Sequence, residues 1–428
     1  MEVLWGIGGM VALVALALLL STNRRAVRWR TVLAALGIQV AFGVLVLFWP
    51  AGQRGLAVVT EGVQAVINSA NAGISFLFGP VLPEGESAGV VFAFQVLPVI
   101  IFFASLTAVL YHWKILQFVV ETLGSALGWA LGTRKAESVN AAANIFVGQT
   151  EAPLVIRPYV QKMTQSELLT VMVSGMATIA GGVLGAFVIL LGGDDPAQQA
   201  YFARHLITAS VMAAPASLVI AKILKPETET PLTRGSVAVE VEKTTANVID
   251  AAASGAADGL KLALNVGAML LAFIALIALL NAPLVWLGEV TGLQEVVGRP
   301  TDMSALLGVL LSPLAWVIGV PWQDAHTIGG LIGTKLVLNE FVAYVQLAEI
   351  IRGNVEGVSL TPQGTLVATY ALCGFANFSS IAIQIGGIGG IAPSRRADLA
   401  RLGLRAVMGG SIVTLMTATI AGVLTQFG

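Results

Sequence analysis

The sequence predicts an all-α polytopic membrane protein. Three observations carry that reading. Charged residues make up 11% of the 428 residues and apolar residues 56%, with a mean hydropathy of +0.86. A soluble domain carries roughly 25% charge, and so little charge cannot cover a soluble surface. The apolar residues gather in runs of about twenty, the length that crosses the ~30 Å hydrocarbon core of a bilayer. Basic residues crowd some of the intervening loops and avoid others, the asymmetry that orients membrane helices. The same composition excludes other classes. A net charge of −1 offers no basic face to nucleic acid. One cysteine, Cys373, and three His leave no disulfide framework and make a zinc centre a poor fit. No GxxxxGK[ST] loop is present for ATP-driven pumping.

The first run, 3–20, lacks a basic n-region and a small-residue cleavage site, and Arg24 and Arg25 follow it. It therefore reads as a retained helix and not as a signal peptide. Further runs cover 31–49, 89–110, 168–191, 206–221, 262–280, 304–320, 364–392 and 407–426. Residues 50–87 form an external segment with a surface helix expected near 57–69. Segment 113–131 mixes an apolar stripe with Lys114, Gln117 and Glu121 and reads as a cytoplasmic interfacial helix. Segment 224–250, with Pro226 and Pro231, reads as a cytosolic connector.

Orientation follows from the basic stretches. These contain Arg24 to Arg30, Lys114 to Lys162, Lys222 to Lys261 (with Arg234 and Lys243) and Arg395 to Arg405. All can face the cytoplasm only if the N-terminus lies outside. That parity requires 304–320 to pair with 328–348, either as two crossings or as a re-entrant hairpin, with a turn between Gly319 and Asp324. Lys335, Asn339 and Glu340 in the second piece would not tolerate lipid. An earlier piece, 138–161, holds two apolar stretches too short to cross at about 1.5 Å per residue. Gly148-Gln149-Thr150-Glu151 and Pro153 interrupt it. It reads as a hairpin that enters the membrane and returns, which is tolerated only inside protein or along a polar cavity. Each hairpin precedes a run with a broken look: Gly175 to Gly185 around Thr178 and Ile179, and Cys373 to Ser380. Two such units in opposite orientation make an inverted repeat, and secondary transporters bind at the midplane between such repeats.

Candidate chemistry sits at these breaks. Glu151 and Glu340 are carboxylates at membrane depth, functional candidates by default; the bland alternative is an ion pair with Arg157 or Lys335. As acceptors they suit a ligand rich in N–H and O–H donors. Gln149 and Asn377 each offer donors and an acceptor, against the bland reading of helix–helix hydrogen bonds. Asn144 and Thr178 offer neutral oxygens that suit a hard cation. From the residues alone, a Thr178 hydroxyl bonded back to its own helix is the better reading. His112 and His205 read as tips at span ends, and Asp324-Ala325-His326 supplies too few groups for a metal site.

GQTEAPLVIRPY at 148–159, NEFVAY at 339–344 and CGFANFSSIAIQIGGIGG at 373–390 resemble the signature segments of the concentrative nucleoside transporters, bacterial type. The resemblance extends to NVIDAAA at 247–253 and LALNVGAM at 262–269. It implies eight transmembrane helices, two oppositely oriented re-entrant hairpins, scaffold and transport domains, and a homotrimer moving by an elevator motion. It implies sodium-coupled nucleoside import across a bacterial inner membrane. Base-binding residues would be Gln149, Thr150 and Glu151, with Val183 and Leu262 beside them. Ribose-binding residues would be Glu340, Asn377 and Ser380, with Phe375 lining the pocket. Sodium would take Asn144, Thr178 and the carbonyls of Val147 and Ile179, which overturns the own-helix reading of Thr178.

The expected divisions are scaffold helices with the external segment (1–112), interfacial helix (113–136), first hairpin and broken helix (137–199), and scaffold helix (200–223). The connector (224–255), core helix and external loop (256–303), second hairpin (304–350), broken helix (351–394) and last helix (395–428) complete them. Both termini then lie outside. Proton coupling within the same architecture is the alternative. An intramembrane hydrolase lacks a nucleophile–base set, and a channel would need a continuous polar path.

Overall fold

The computed structural model describes residues 2–81, 91–231, 245–292, 294–295 and 300–425. The middle of the expected connector, with Arg234 and Lys243, residues 82–87 of the external segment and the first two residues of the run 89–110 lie outside the described residues. The described chain is helical. It begins with α1 (Glu2–Leu19), α2 (Trp29–Leu47), α3 (Pro50–Phe78), α4 (Leu97–His112) and α5 (Ile115–Leu131). Then come α6 (Lys135–Ala143), α7 (Arg157–Val160), α8 (Gln165–Ala177), α9 (Gly181–Gly192) and α10 (Pro196–Leu224). The second half holds α11 (Val248–Val290), α12 (Met303–Val317), α13 (Trp322–Val337) and α14 (Glu340–Ile351). It ends with α15 (Pro362–Leu372), α16 (Phe378–Ile391) and α17 (Arg396–Leu424).

The starts of these helices are written locally. Thr164 and Glu167 form a reciprocal capping box on α8, satisfying amides that the first turn leaves without partners. Asp195, Asn247, Asp302, Asn339, Thr361 and Asn377 each accept from a backbone N–H of the helix they open. Pro50, Pro196 and Pro362 stand in first turns, where no N–H is needed.

Six helical stretches are long and apolar enough to cross a membrane among the described residues. They fall into two groups by burial. Gln165–Gly192, Pro196–Leu224 and Pro393–Leu424 bury 83% of their apolar windows. Trp29–Val46, Phe92–His112 and Val248–Val290 bury only 28%, 22% and 22%. The first group is enclosed by protein; the second turns most of its apolar surface outward.

The two halves of the chain pack reciprocally. α5 lies on α6 as α12 lies on α13, and α6 meets α8 as α13 meets α15. α8 packs on α17 while α15 packs on α10; α4 runs along α11, and α10 along α17. The α4–α11 contact rests on small residues. Gly255 and Gly259 lie so close to α4 that a Cβ would come within 2.6 Å of Ala108 or 2.7 Å of Ala104. With Ala251 and Ala263 they form the four-residue spacing that lets membrane helices approach closely.

Several expected boundaries shift. The surface helix expected near 57–69 extends over Pro50–Phe78, because Leu56, Thr60, Ile67, Ala70 and Ile74 keep one buried stripe throughout. The connector ends at Asn247 and not at 255, since Asn247 caps α11 and Ala251 already packs inward. α11 then has 43 residues, roughly 65 Å of helix, about twice the hydrocarbon thickness. Segment 304–350 contains three helices. The turn at 318–321 bends α12 against α13 by 118°, while the polar break at Leu338–Asn339 separates α13 from α14. His205 is not a tip at a span end: it is buried, 3.1 Å from the Tyr370 hydroxyl.

Candidate functional site

Four interruptions in helical backbone meet in the enclosed part of the bundle. The turn at 144–151 follows α6, and Thr178-Ile179-Ala180 separates α8 from α9. Leu338–Asn339 separates α13 from α14, and Cys373 to Asn377 separates α15 from α16. The first two are joined by backbone: Gly181 N–H donates to the Phe146 carbonyl at 3.0 Å. Glycine is required at 374, where φ is 155° and a Cβ would also lie 3.0 Å from the Ala177 carbonyl. Gly175 is required for packing, since a Cβ there would lie 2.9 Å from Gln149 Cβ.

A chain of hydrogen bonds links the turn of the first half to that of the second. Gln149 Nε2 donates to Ser380 Oγ at 3.1 Å. Ser380 N–H donates to Asn377 Oδ1 at 2.9 Å, closing the cap of α16. Asn377 Nδ2 donates to Glu340 Oε2 at 2.9 Å. Gln149, Ser380, Asn377 and Glu340 are all buried. Ser379 Oγ shares the Asn377 oxygen at 2.7 Å. The ion pair weighed for Glu340 is not how Lys335 is held: its ammonium donates to the Ala371 carbonyl at 2.8 Å and to Thr414 Oγ1 at 3.1 Å.

Near the first turn lies a set of neutral oxygens. Asn144 Nδ2 donates to the Asn140 carbonyl at 2.9 Å and toward Ser174 Oγ at 3.4 Å. Its Oδ1 is buried without a hydrogen-bond partner. Thr178 Oγ1 donates to the Ser174 carbonyl at 2.9 Å, the own-helix bond that the residues alone favoured. That bond uses the proton and leaves the oxygen's lone pairs as acceptors. Val147 and Ile179 are buried beside this region of the chain.

The remaining expected residues are placed less tightly. Val183 is buried on α9. Thr150 and Phe375 are half-buried, and Thr150 Cγ2 seats against Gly387 of α16. Glu151 is exposed, and its carboxylate folds back over Gly148. Leu262 is 39% exposed on α11. Neither side chain joins the buried hydrogen-bond chain.

Sequence reasoning missed Gln384. It is buried on α16, and its Nε2 donates to Gln149 Oε1 at 3.0 Å and to the Met172 carbonyl at 2.9 Å. It therefore fixes which way the Gln149 amide faces. Its signal was an amide within SSIAIQIGG, one turn past Ser380 on the same helix face. Gln384→Leu should release that amide and weaken ligand binding by about 1–2 kcal/mol, roughly 5- to 30-fold. Competition binding on purified protein reads this directly.

No cluster of three or more His, Cys, Asp or Glu that could hold a metal occurs among the described residues. Hydrogen-bonding groups sealed between broken helices, within a bundle of apolar spans, are the arrangement in which membrane transporters hold their substrates. Comparison with known proteins is specific. Family descriptions for the "Na+ dependent nucleoside transporter" match residues 205–422 (C-terminus) and 8–81 (N-terminus), and "Nucleoside recognition" matches 93–194. The nucleoside permease NupC of Helicobacter pylori is 43% identical over 98% of this chain and 97% of its own. Sodium/nucleoside cotransporter 1 of Mus musculus is 39% identical over 94% of this chain and 61% of its own. The solved structure of CNTnw in an inward-facing substrate-bound state superposes with a TM-score of 0.89 at 46% identity, covering 100% of this chain and 99% of that one. The chain belongs to the Na+ dependent nucleoside transporter family.

Proposed function

We propose that the protein imports nucleosides into a bacterial cell by sodium symport. The observation that carries this reading is the continuous hydrogen-bond chain from Gln149 through Ser380 and Asn377 to Glu340. Its groups satisfy one another, and each can be exchanged for a ligand donor or acceptor. The amide of Gln149 suits a base edge, with Thr150, Glu151, Val183 and Leu262 around it. The charged acceptor Glu340, with Asn377, Ser380 and Phe375, suits vicinal hydroxyls. The unpartnered oxygen of Asn144 supports a cation there, with Thr178 and the carbonyls of Val147 and Ile179.

The burial difference among the spans supports an elevator motion. A mobile inner body would comprise α6–α10 and α13–α17, carried past a frame of α1–α5, α11 and α12. α10, expected in the scaffold, is assigned to the inner body because it packs along α8, α9 and α17. The turns after α6 and α13 act as the tips of two oppositely oriented re-entrant hairpins. With α1 and the broken α15–α16 as further crossings, the six stretches become eight. The outward apolar faces of α2, α4 and α11 then meet lipid and sister protomers of a homotrimer. The clustered arginines support an orientation with both termini outside.

Uptake of tritiated uridine into proteoliposomes tests the function. It should collapse when choline replaces sodium at fixed pH. Uptake unchanged by that exchange but driven by a pH gradient would make the protein a proton symporter.

A further inference from the structure

We propose that the Lys335 ammonium is a resident cation, filling in the second half of the chain the place that the coupling cation takes in the first. The inference rests on the Asn144–Thr178 reading above. Lys335 is 2% exposed and is the only buried Lys or Arg among the described residues. It stands in the last turn of α13, just before the break at Leu338–Asn339. Asn144 stands directly after α6, at the start of the equivalent turn. Each reaches the end of the first part of a broken helix. Asn144 approaches Ser174, near the end of α8. Lys335 donates to the carbonyl of Ala371, near the end of α15.

The other acceptor of the ammonium is Thr414 Oγ1 at 3.1 Å. Thr414 lies on α17, which packs against α15 as α10 packs against α8. A carbonyl and a hydroxyl are the neutral oxygens that a hard cation takes. Burying an ammonium is costly, and packing between helices would be served as well by an apolar side chain. A charge fixed at this point has a use. Glu340, which opens α14, has this ammonium five residues earlier in the chain. The second half therefore needs no free ion of its own, and one sodium per cycle suffices.

Sodium titration of uridine uptake in proteoliposomes tests the proposal. Wild-type protein should give a Hill slope of about one, and Lys335→Asn a slope of about two at a higher half-saturation, because sodium refills the vacated oxygens. A folded Lys335→Asn protein with a slope of one, or with no uptake at any sodium concentration, would overturn the proposal. If that variant does not fold, Thr414→Val decides. It keeps the charge and removes one acceptor, so the slope should stay at one while uridine affinity falls about 3- to 10-fold. Unchanged affinity in Thr414→Val would overturn the proposal equally. Sodium-independent uptake by the wild type is a separate outcome. It would remove the Asn144–Thr178 reading, and this inference with it.

Discussion

Glu340→Gln should weaken nucleoside binding by roughly 30- to 160-fold. The carboxylate opens α14, is buried, and has one oxygen committed to Asn377 Nδ2 at 2.9 Å. Its remaining acceptor sites are those a pair of ribose hydroxyls would use. The glutamine keeps one carbonyl acceptor, so the Asn377 bond and the fold survive. It replaces the other carboxylate oxygen with a donor, which faces the hydroxyl hydrogens wrongly. Charge-assisted hydrogen bonds are about twice as strong as neutral ones. Losing that difference at two hydroxyls amounts to about 2–3 kcal/mol, roughly 30- to 160-fold in Kd. Equilibrium binding of tritiated uridine to detergent-purified protein measures it. Wild-type affinity in this variant would mean that the ribose does not sit at Glu340.

The second large effect is expected at Asn144. Asn144→Ala removes the buried Oδ1 that has no protein partner and leaves the Thr178–Ser174 bond in place. The half-saturating sodium concentration should rise about tenfold or more, which corresponds to about 1.4 kcal/mol. At saturating sodium, uridine binding should return to near the wild-type value, because none of Gln149, Asn377, Ser380 or Glu340 bonds to Asn144. Sodium titrations of uridine binding, read at several fixed pH values, check this. An unchanged sodium dependence would place the coupling ion elsewhere, and a lost uridine site at all sodium concentrations would make Asn144 structural.

Much of the fold was legible because the bilayer imposes simple lengths. Apolar runs, the clusters of arginine and the short stretches around Gly148–Glu151 follow from hydrocarbon thickness and the cost of bare backbone there. Glu340, Asn377 and Gln149 stood out because polar groups at that depth need a reason. The second half was harder. Gly319 to Asp324 carries the stronger turn chemistry, and the chain bends there between α12 and α13. The polar break at Leu338–Asn339, capped by the Asn339 side chain, contains neither Gly nor Pro. The extension of α11 back to Val248 was hidden because Ala251, Gly255 and Gly259 contribute little hydropathy. Their value lies in how closely α4 can approach.

Composition and spacing therefore decided that this is a polytopic helical membrane protein with polar breaks, and motif resemblance pointed to its family. Only the tertiary structure decided which polar groups meet. Gln384 lies far along the chain from Gln149 yet sets the direction of its amide. Lys335 turns from Glu340 to a carbonyl and a hydroxyl on two other helices. Glu151, as conspicuous in the sequence as Glu340, stays exposed outside the buried network. The physical reason is directional. Hydropathy depends on what a residue is, while a hydrogen bond depends on which partner comes within about 3 Å along the right angle, and packing between distant segments alone sets that.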